Sequence, residues 1–227
     1  MNLVTKYLEN SLEIKSKTIN TLVIEDTHYF SLFLKGLIEA TEIESDEFEL
    51  IEDYKTVDMT KYVEVIFDIF NLEANSANIL KKMYSELEED LNTQEVYTKK
   101  VELESIIANI TDELIYRSRF SLKVGEINYQ NLFKAIEIEF DYEKNSVLER
   151  LIEYIKVTSE LLKIKVYIIV NLDSFLSEEE LVELEKFLLY NDIKVLALQN
   201  AIRREVKPSE NLRIVDKDLC CLLYTSD

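Results

Sequence analysis

The sequence predicts an α/β fold: a discontinuous head, residues 1–72 and 160–227, with an α-helical leg of residues 73–159 inserted in it. Three observations carry this. Residues 163–199 read as strand, helix, strand; the first and last stretches read as sheet; the middle is dominated by helical periodicity. Val166-Tyr167-Ile168-Ile169-Val170 is β-branched and too short for a helix, so it reads as a strand buried on both faces. Ser177 and Glu180 have the spacing of a capping box and open a helix to Tyr190, with Leu181, Leu184, Phe187 and Leu188 on its apolar face. Ile193-Lys194-Val195-Leu196-Ala197-Leu198 is the next strand, so the pair should be parallel and joined by a right-handed crossover.

The remaining elements follow in order. Leu12-Glu13-Ile14 alternates, and Ile19-Asn20-Thr21-Leu22-Val23-Ile24 is a strand. Asp26 or Thr27 caps a helix to Ala40 that buries Phe30, Phe33, Leu34, Leu37 and Ile38. Phe48-Glu49-Leu50-Ile51 is a short edge or hairpin strand, and residues 62–68 form another. Asn75-Ser76 caps a helix to Leu91 with Ile79, Leu80, Met83, Tyr84 and Leu87 in its stripe. A longer helix spans 94–118, striped by Val96, Leu103, Ile106, Ile107, Ile110, Leu114 and Ile115. Their short connection predicts antiparallel packing of the two. Residues 129–136 form a short helix, 136–140 a strand or the helix's tail, and 146–162 an amphipathic helix assigned to the leg. Residues 212–215 and 219–224 are final strands, after a polar loop with Pro208.

The sheet pattern is that of a nucleotide-hydrolase-like head, yet the chain lacks a phosphate loop. Only Gly36 and Gly125 exist, and neither lies between a strand and a helix in a phosphate-cradling pattern. A formal charge of −19 argues, on average, against nucleic acid and anionic membranes, although a local basic patch can override the mean. The two cysteines, Cys220 and Cys221, are adjacent and have nothing else to pair with, which fits a reducing cytoplasm and a packing role. No apolar stretch is long enough to span a membrane and no signal peptide is evident, so a cytoplasmic protein is expected.

Candidate chemistry is sparse. Asp173 follows a hydrophobic strand, as a metal-positioning acid would, but reads more simply as a loop or cap residue. Glu25-Asp26 could hold Mg²⁺, and helix capping explains the pair without it. His28, the only histidine, has no nucleophile motif beside it. Glu137, Glu139 and Asp141 alternate, with Glu126 nearby in sequence, and read as a solvated acidic face or as ligands for calcium. Lys81-Lys82, Lys99-Lys100, Arg117-Arg119-Lys123 and Arg203-Arg204 read as solvated faces.

Residues 19–26, Asn75-Ser76-Ala77-Asn78-Ile79-Leu80-Lys81 and residues 165–198, especially Val170-Asn171-Leu172-Asp173-Ser174-Phe175-Leu176, resemble the DNA-end-binding ring family of type II-A CRISPR–Cas loci, Csn-two. The order of elements agrees over nearly the whole chain. The resemblance implies a homotetrameric ring with a basic central hole that threads onto linear double-stranded DNA ends. Binding would be independent of sequence and non-catalytic, in support of spacer acquisition and antiviral defence. It implies as partners the integrase pair and the effector nuclease of the locus, and calcium sites near the junction of head and leg that stabilise the ring. Lys35, Lys55, Lys61, Lys134 and Lys144 are the candidates for lining the hole; Glu126, Glu139 and Asp141 are the candidate metal ligands. The loop 117–126 departs from the family's acid-rich pattern, because only Glu126 is acidic and Arg117, Arg119 and Lys123 take its place. The ring should therefore depend only weakly on calcium, and no nucleotide is expected. Two other readings stay open: a Mg²⁺-dependent nucleotide hydrolase or nuclease using Asp26 or Asp173, and an acidic scaffold that binds only proteins.

Overall fold

The computed structural model describes residues 1–43, 45–141, 146–202 and 211–224. The chain divides into two compact units, Met1–Glu73 with Tyr142–Asp227, and Ala74–Asp141.

The first unit is mixed α/β. Its strands are β1 (Asn2–Thr5), β2 (Leu12–Glu13), β3 (Ile19–Ile24), β4 (Phe48–Glu52), β5 (Lys55–Val57), β6 (Val63–Ile66), β7 (Val166–Val170), β8 (Lys194–Gln199), β9 (Asn211–Val215) and β10 (Cys221–Tyr224). Its helices are α1 (Thr27–Glu42), α2 (Met59–Tyr62), α6 (Val147–Leu161) and α7 (Glu178–Tyr190). The second unit supplies α3 (Ala77–Asp90), α4 (Gln94–Arg117) and α5 (Tyr129–Ala135).

A six-stranded sheet runs β10-β9-β3-β8-β7-β6. β9, β3, β8, β7 and β6 are parallel, and β10 closes the edge antiparallel. Both faces of the central strands are covered, which is why they read as unbroken apolar runs. Alternate residues serve opposite sides. Ile168, Val170, Leu196 and Leu198 join α1 through Phe30, Phe33 and Leu37. Tyr167, Ile169, Val195 and Ala197 join α6 and α7 through Leu151, Ile155, Leu181, Leu184 and Leu188.

A second, antiparallel sheet, β2-β1-β4-β5, covers the other side of α1. Here α1 comes so close that a Cβ on Gly36 would stand 2.9 Å from the Phe48 ring. Phe33 and Phe48 meet edge to face with centroids 5.1 Å apart. The β4–β5 hairpin turns on Asp53 and Tyr54, both at positive φ (49° and 62°). That left-handed pair matches strand twist but carries no glycine to signal it, so β5 was illegible in the sequence. The four-residue α2, capped by Asp58, was also missed; it takes the start of the strand expected at 62–68.

Three sequence expectations are corrected. First, α6 belongs with the sheet and not with the leg: Leu148, Leu151 and Ile155 are buried in the core cluster that contains Tyr167 and Ile169. The leg is accordingly shorter, 74–141 rather than 73–159. Second, α3 is buried chiefly against α5, through Tyr84, Tyr129 and Phe133, and α4 has no buried residue. Third, residues 136–140 are not a strand. Glu137 has φ 54°, and the segment is pinned by Asn75, whose side chain both donates to the Phe140 carbonyl (3.1 Å) and accepts from its N–H (2.9 Å).

Candidate nucleic-acid interface

In open parallel sheets, ligands usually meet the carboxyl ends of the strands, with phosphates on a helix N-terminus. Here β3 leads into α1 with no intervening glycine turn. The Asp26 carboxylate accepts the Tyr29 N–H at 2.7 Å and caps the helix. An anion of the chain's own thus occupies the positive end of α1, and a phosphate brought there would meet like charge. After β7, Asn171 adopts a left-handed conformation (φ 56°) and Asp173 sits in the short 3-10 turn Leu172–Ser174. His28 lies exposed in the first turn of α1. Asp26 and Asp173 follow different strands of one sheet. Among the described residues, no group of three or more His, Cys, Asp or Glu side chains is placed to hold a metal.

The candidate lysines are spread out. Lys35 projects from α1 beside Glu39, its Nζ 3.8 Å from the carboxylate. Lys61 on α2 is held by Asp58 at 2.6 Å, and that contact, with the Thr60 hydroxyl, pulls the Asp58 carboxyl below its usual range. Lys55 lies exposed on the edge strand β5. Beside these elements, a cavity of about 290 Å³ is lined by Asp46, Glu49, Asp58, Thr56 and Thr60, and none of the three lysines is among its described lining residues. Lys134 belongs to the second unit. It lines a cavity of about 600 Å³ with Lys81, Asn131, Glu137 and Glu139. Lys144 lies outside the described residues, as do Arg203 and Arg204.

The best-tied basic residues are structural, and sequence reasoning passed over them. Lys165 and Lys194, at the amino ends of β7 and β8, converge on Glu52 at 3.2 and 3.6 Å. Burial pushes the Glu52 carboxyl up, but the two ammoniums outweigh it and its pKa is lowered. Lys6 pairs with Glu47, holding that carboxyl below the usual range and its own ammonium above. The Glu52 pairs tie the small sheet to the large one, and the Lys6–Glu47 pair joins the segments beside β1 and β4.

The metal candidates do not come together either. Glu126 is exposed in the irregular stretch after α4, Glu139 lines the leg cavity with Glu137, and Asp141 is exposed at the end of its unit. Among the described residues these three carboxylates do not form a common group, whereas calcium takes six to eight oxygen ligands. Cys220 is exposed, not packed, and Cys221 is only partly covered, its thiol pushed up by burial.

The family described as CRISPR-associated protein (Cas_Csn2) matches residues 41–219. The chain belongs to this family. A CRISPR-associated protein Csn2 from Enterococcus faecalis is 28% identical over 196 residues, covering 86% of this chain and 88% of the relative. A second Csn2, from Streptococcus agalactiae, is 26% identical over 196 residues, covering 85% and 86%. Among solved structures, cbiO1 of Clostridium perfringens, part of the ABC transporter complex cbiONQ, superposes with a TM-score of 0.46 at 12% identity, over 90% of this chain and 76% of that one. Among the described residues of this Csn2-family chain, no helix is long and apolar enough to cross a membrane.

Proposed function

We propose that this Csn2-family chain is a non-catalytic subunit of a homotetrameric ring that binds the ends of linear double-stranded DNA, without sequence preference, in support of CRISPR spacer acquisition. Family membership over residues 41–219 carries the reading. The distribution of charge is consistent with it. A subunit of charge −19 whose exposed lysines stand on separate elements, several beside acids, offers duplex DNA little by itself. Several subunits around one axis can bring modest patches together, and low-dielectric walls then focus their field. Asp26 at the α1 N-terminus weighs against a phosphate ligand at the strand ends, and so against the hydrolase reading. Calcium contributes little to assembly in this proposal, because the loop 117–126 keeps one acid.

The test is a mobility-shift comparison of linear and covalently closed circular DNA of one sequence. Linear DNA should bind, with an affinity that falls steeply as salt rises, and closed circles should not. Equal binding of both would overturn threading. DNA cleavage or ATP turnover with Mg²⁺ would favour the enzymatic alternative. Gel-filtration profiles should match in calcium and in chelator; collapse of the assembly on chelation would overturn the calcium part.

A further inference from the structure

The hairpin at the edge of the large sheet places its two thiols in unlike surroundings. In β10, Cys221 pairs with Val215 of β9 and Leu223 with Arg213. Side chains alternate along a strand, so Cys221, Val215 and Arg213 share one face. Val215 is buried there in the core cluster that contains Phe30 of α1. On this face Cys221 lines a cavity of about 260 Å³ with Lys6, Tyr7, Glu9, Tyr29 and Val215. At about 30 Å³ per water, that is room for about nine waters or one cysteine-sized group. The two tyrosine hydroxyls are engaged elsewhere: Tyr29 donates to the Tyr7 carbonyl (2.6 Å) and Tyr7 to Glu47 (3.1 Å). Cys220 closes the hairpin instead. Its N–H donates to the Asp216 carboxylate (2.8 Å), it is exposed, and it is not among the cavity's described lining residues.

Arg213, on the same face as Cys221, is a buried cation without a counter-ion. It is 8% exposed, its Nη1 donates to the carbonyls of Asn10 (2.8 Å) and Ser11 (2.9 Å), and its Nε is buried without a partner. Among the described residues no carboxylate pairs with it. A buried charge left unpaired is costly, and an anion brought beside it relieves that cost. Residues diagonal across an antiparallel pair stand about 7–8 Å apart, within reach of a side chain as long as arginine. We propose that Cys221 and its cavity are a site of mixed-disulfide formation, selective for small disulfides that carry a carboxylate. The Cys221 thiolate attacks one sulfur of the disulfide and forms a new S–S bond. The original S–S bond breaks with its electron pair going to the departing half, which takes up the proton that the thiol released. The retained half lies in the cavity with its carboxylate toward the guanidinium. Lys6 is held by Glu47, and Glu9 lines the same cavity, so Arg213 is the cation that sets the preference. Burial pushes the Cys221 thiol up, Arg213 pulls it down and Glu9 adds to the rise. Thiolate is therefore scarce at neutral pH, and the site selects by charge rather than by speed. Cys220, beside Asp216 and two residues from Asp218, has the opposite preference.

The inference stands independently of the DNA-binding reading. Its test uses the full-length Cys220→Ser and Cys221→Ser proteins with three disulfides of similar size: dithiodipropionate (anionic), hydroxyethyl disulfide (neutral) and cystamine (cationic). Adduct formation is followed by intact mass. Each rate is divided by that of the same chain unfolded in urea, which removes the intrinsic reactivity of the reagent. The Cys220→Ser protein should take up dithiodipropionate at least about fivefold faster than cystamine, with hydroxyethyl disulfide between them. The Cys221→Ser protein should show the reverse order. Arg213→Gln added to Cys220→Ser should abolish the preference, with circular dichroism as the check on folding; the comparison of the three reagents decides the question even if that variant unfolds. In the chain with both thiols, the adduct on Cys221 should persist until dithiothreitol removes it, because thiols on opposite faces cannot close on each other while β10 keeps its register. Equal rates for the anionic and cationic reagents at Cys221, the same order at both cysteines, a preference that survives in folded Arg213→Gln, or conversion of the adduct into a Cys220–Cys221 disulfide would each overturn the proposal.

Discussion

Asn20 shows how far one buried amide can hold the head together. It sits in β3, fully buried between β8 and β9. Its Oδ1 accepts the Lys15 N–H at 2.8 Å and the Asn211 side-chain amide at 2.6 Å. Its Nδ2 donates to the carbonyls of Lys15 and Val195, both at 2.9 Å. One residue thus fixes the loop before β3 and both neighbouring strands. Asn20→Ala removes these four bonds and leaves the buried Val195 carbonyl without this donor. At about 1 kcal/mol per net bond, the loss is about 4 kcal/mol, a large share of the usual 5–15 kcal/mol of a domain. For a chain of this size that corresponds to a fall in Tm of about 8–16 °C. Thermal and urea unfolding by circular dichroism measure it. Asn20→Asp should fare no better, because it keeps the acceptor but sets carboxylate oxygens against two carbonyls. A Tm within about 3 °C of wild type for either variant would refute this account of the network.

Two further predictions concern titration. Burial pushes the Glu64 carboxyl up, only partly opposed by the Tyr154 hydroxyl that donates to Oε1, and Oε2 is buried without a partner. A carboxyl raised in the folded state costs nothing below its unfolded value, near pH 4, and its penalty grows as pH rises through the raised one. Glu64→Gln should therefore gain stability relative to wild type between about pH 4 and pH 7, measured by urea unfolding; a difference independent of pH would sink the idea. Burial, then the Glu104 contact, pushes the Tyr129 hydroxyl up to about 12, and burial raises Tyr167 further. An ultraviolet absorbance titration should find Tyr129 and Tyr167 among the late-ionising tyrosines, with Tyr7 and Tyr29 also raised by burial; Tyr129→Phe should remove one late-titrating group and cost about 1 kcal/mol. Loss of an early-titrating tyrosine instead would show that the Glu104 contact does not form in solution.

Much of the head was legible because its signals are local. The capping box at Ser177 and Glu180 closes on both sides, at 3.3 and 2.8 Å, and the β7 and β8 runs are apolar because both faces are covered. Asp26 was legible as a cap for the same reason. The α6 assignment failed because an amphipathic stripe shows that a helix is covered on one side but not by what. The antiparallel pairing of α3 and α4 failed likewise: α3 found its partner in the short α5. Glu137, Glu139 and Asp141 looked like one acidic face only while the backbone was assumed extended, and a single positive φ at Glu137 removes that regularity. The candidate lysines were not legible as a site at all, since an exposed lysine has the same local sequence wherever it points.

The chain by itself determined the strands of its large sheet, its longer helices, its caps and the lack of a glycine cradle, because each depends on neighbours a few residues away. Tertiary structure alone decided that Glu52 gathers Lys165 and Lys194, that Asn20 ties three segments, and that α4 keeps a bare apolar stripe. These depend on which distant surfaces meet, and periodicity reports that a face must be buried without naming what buries it.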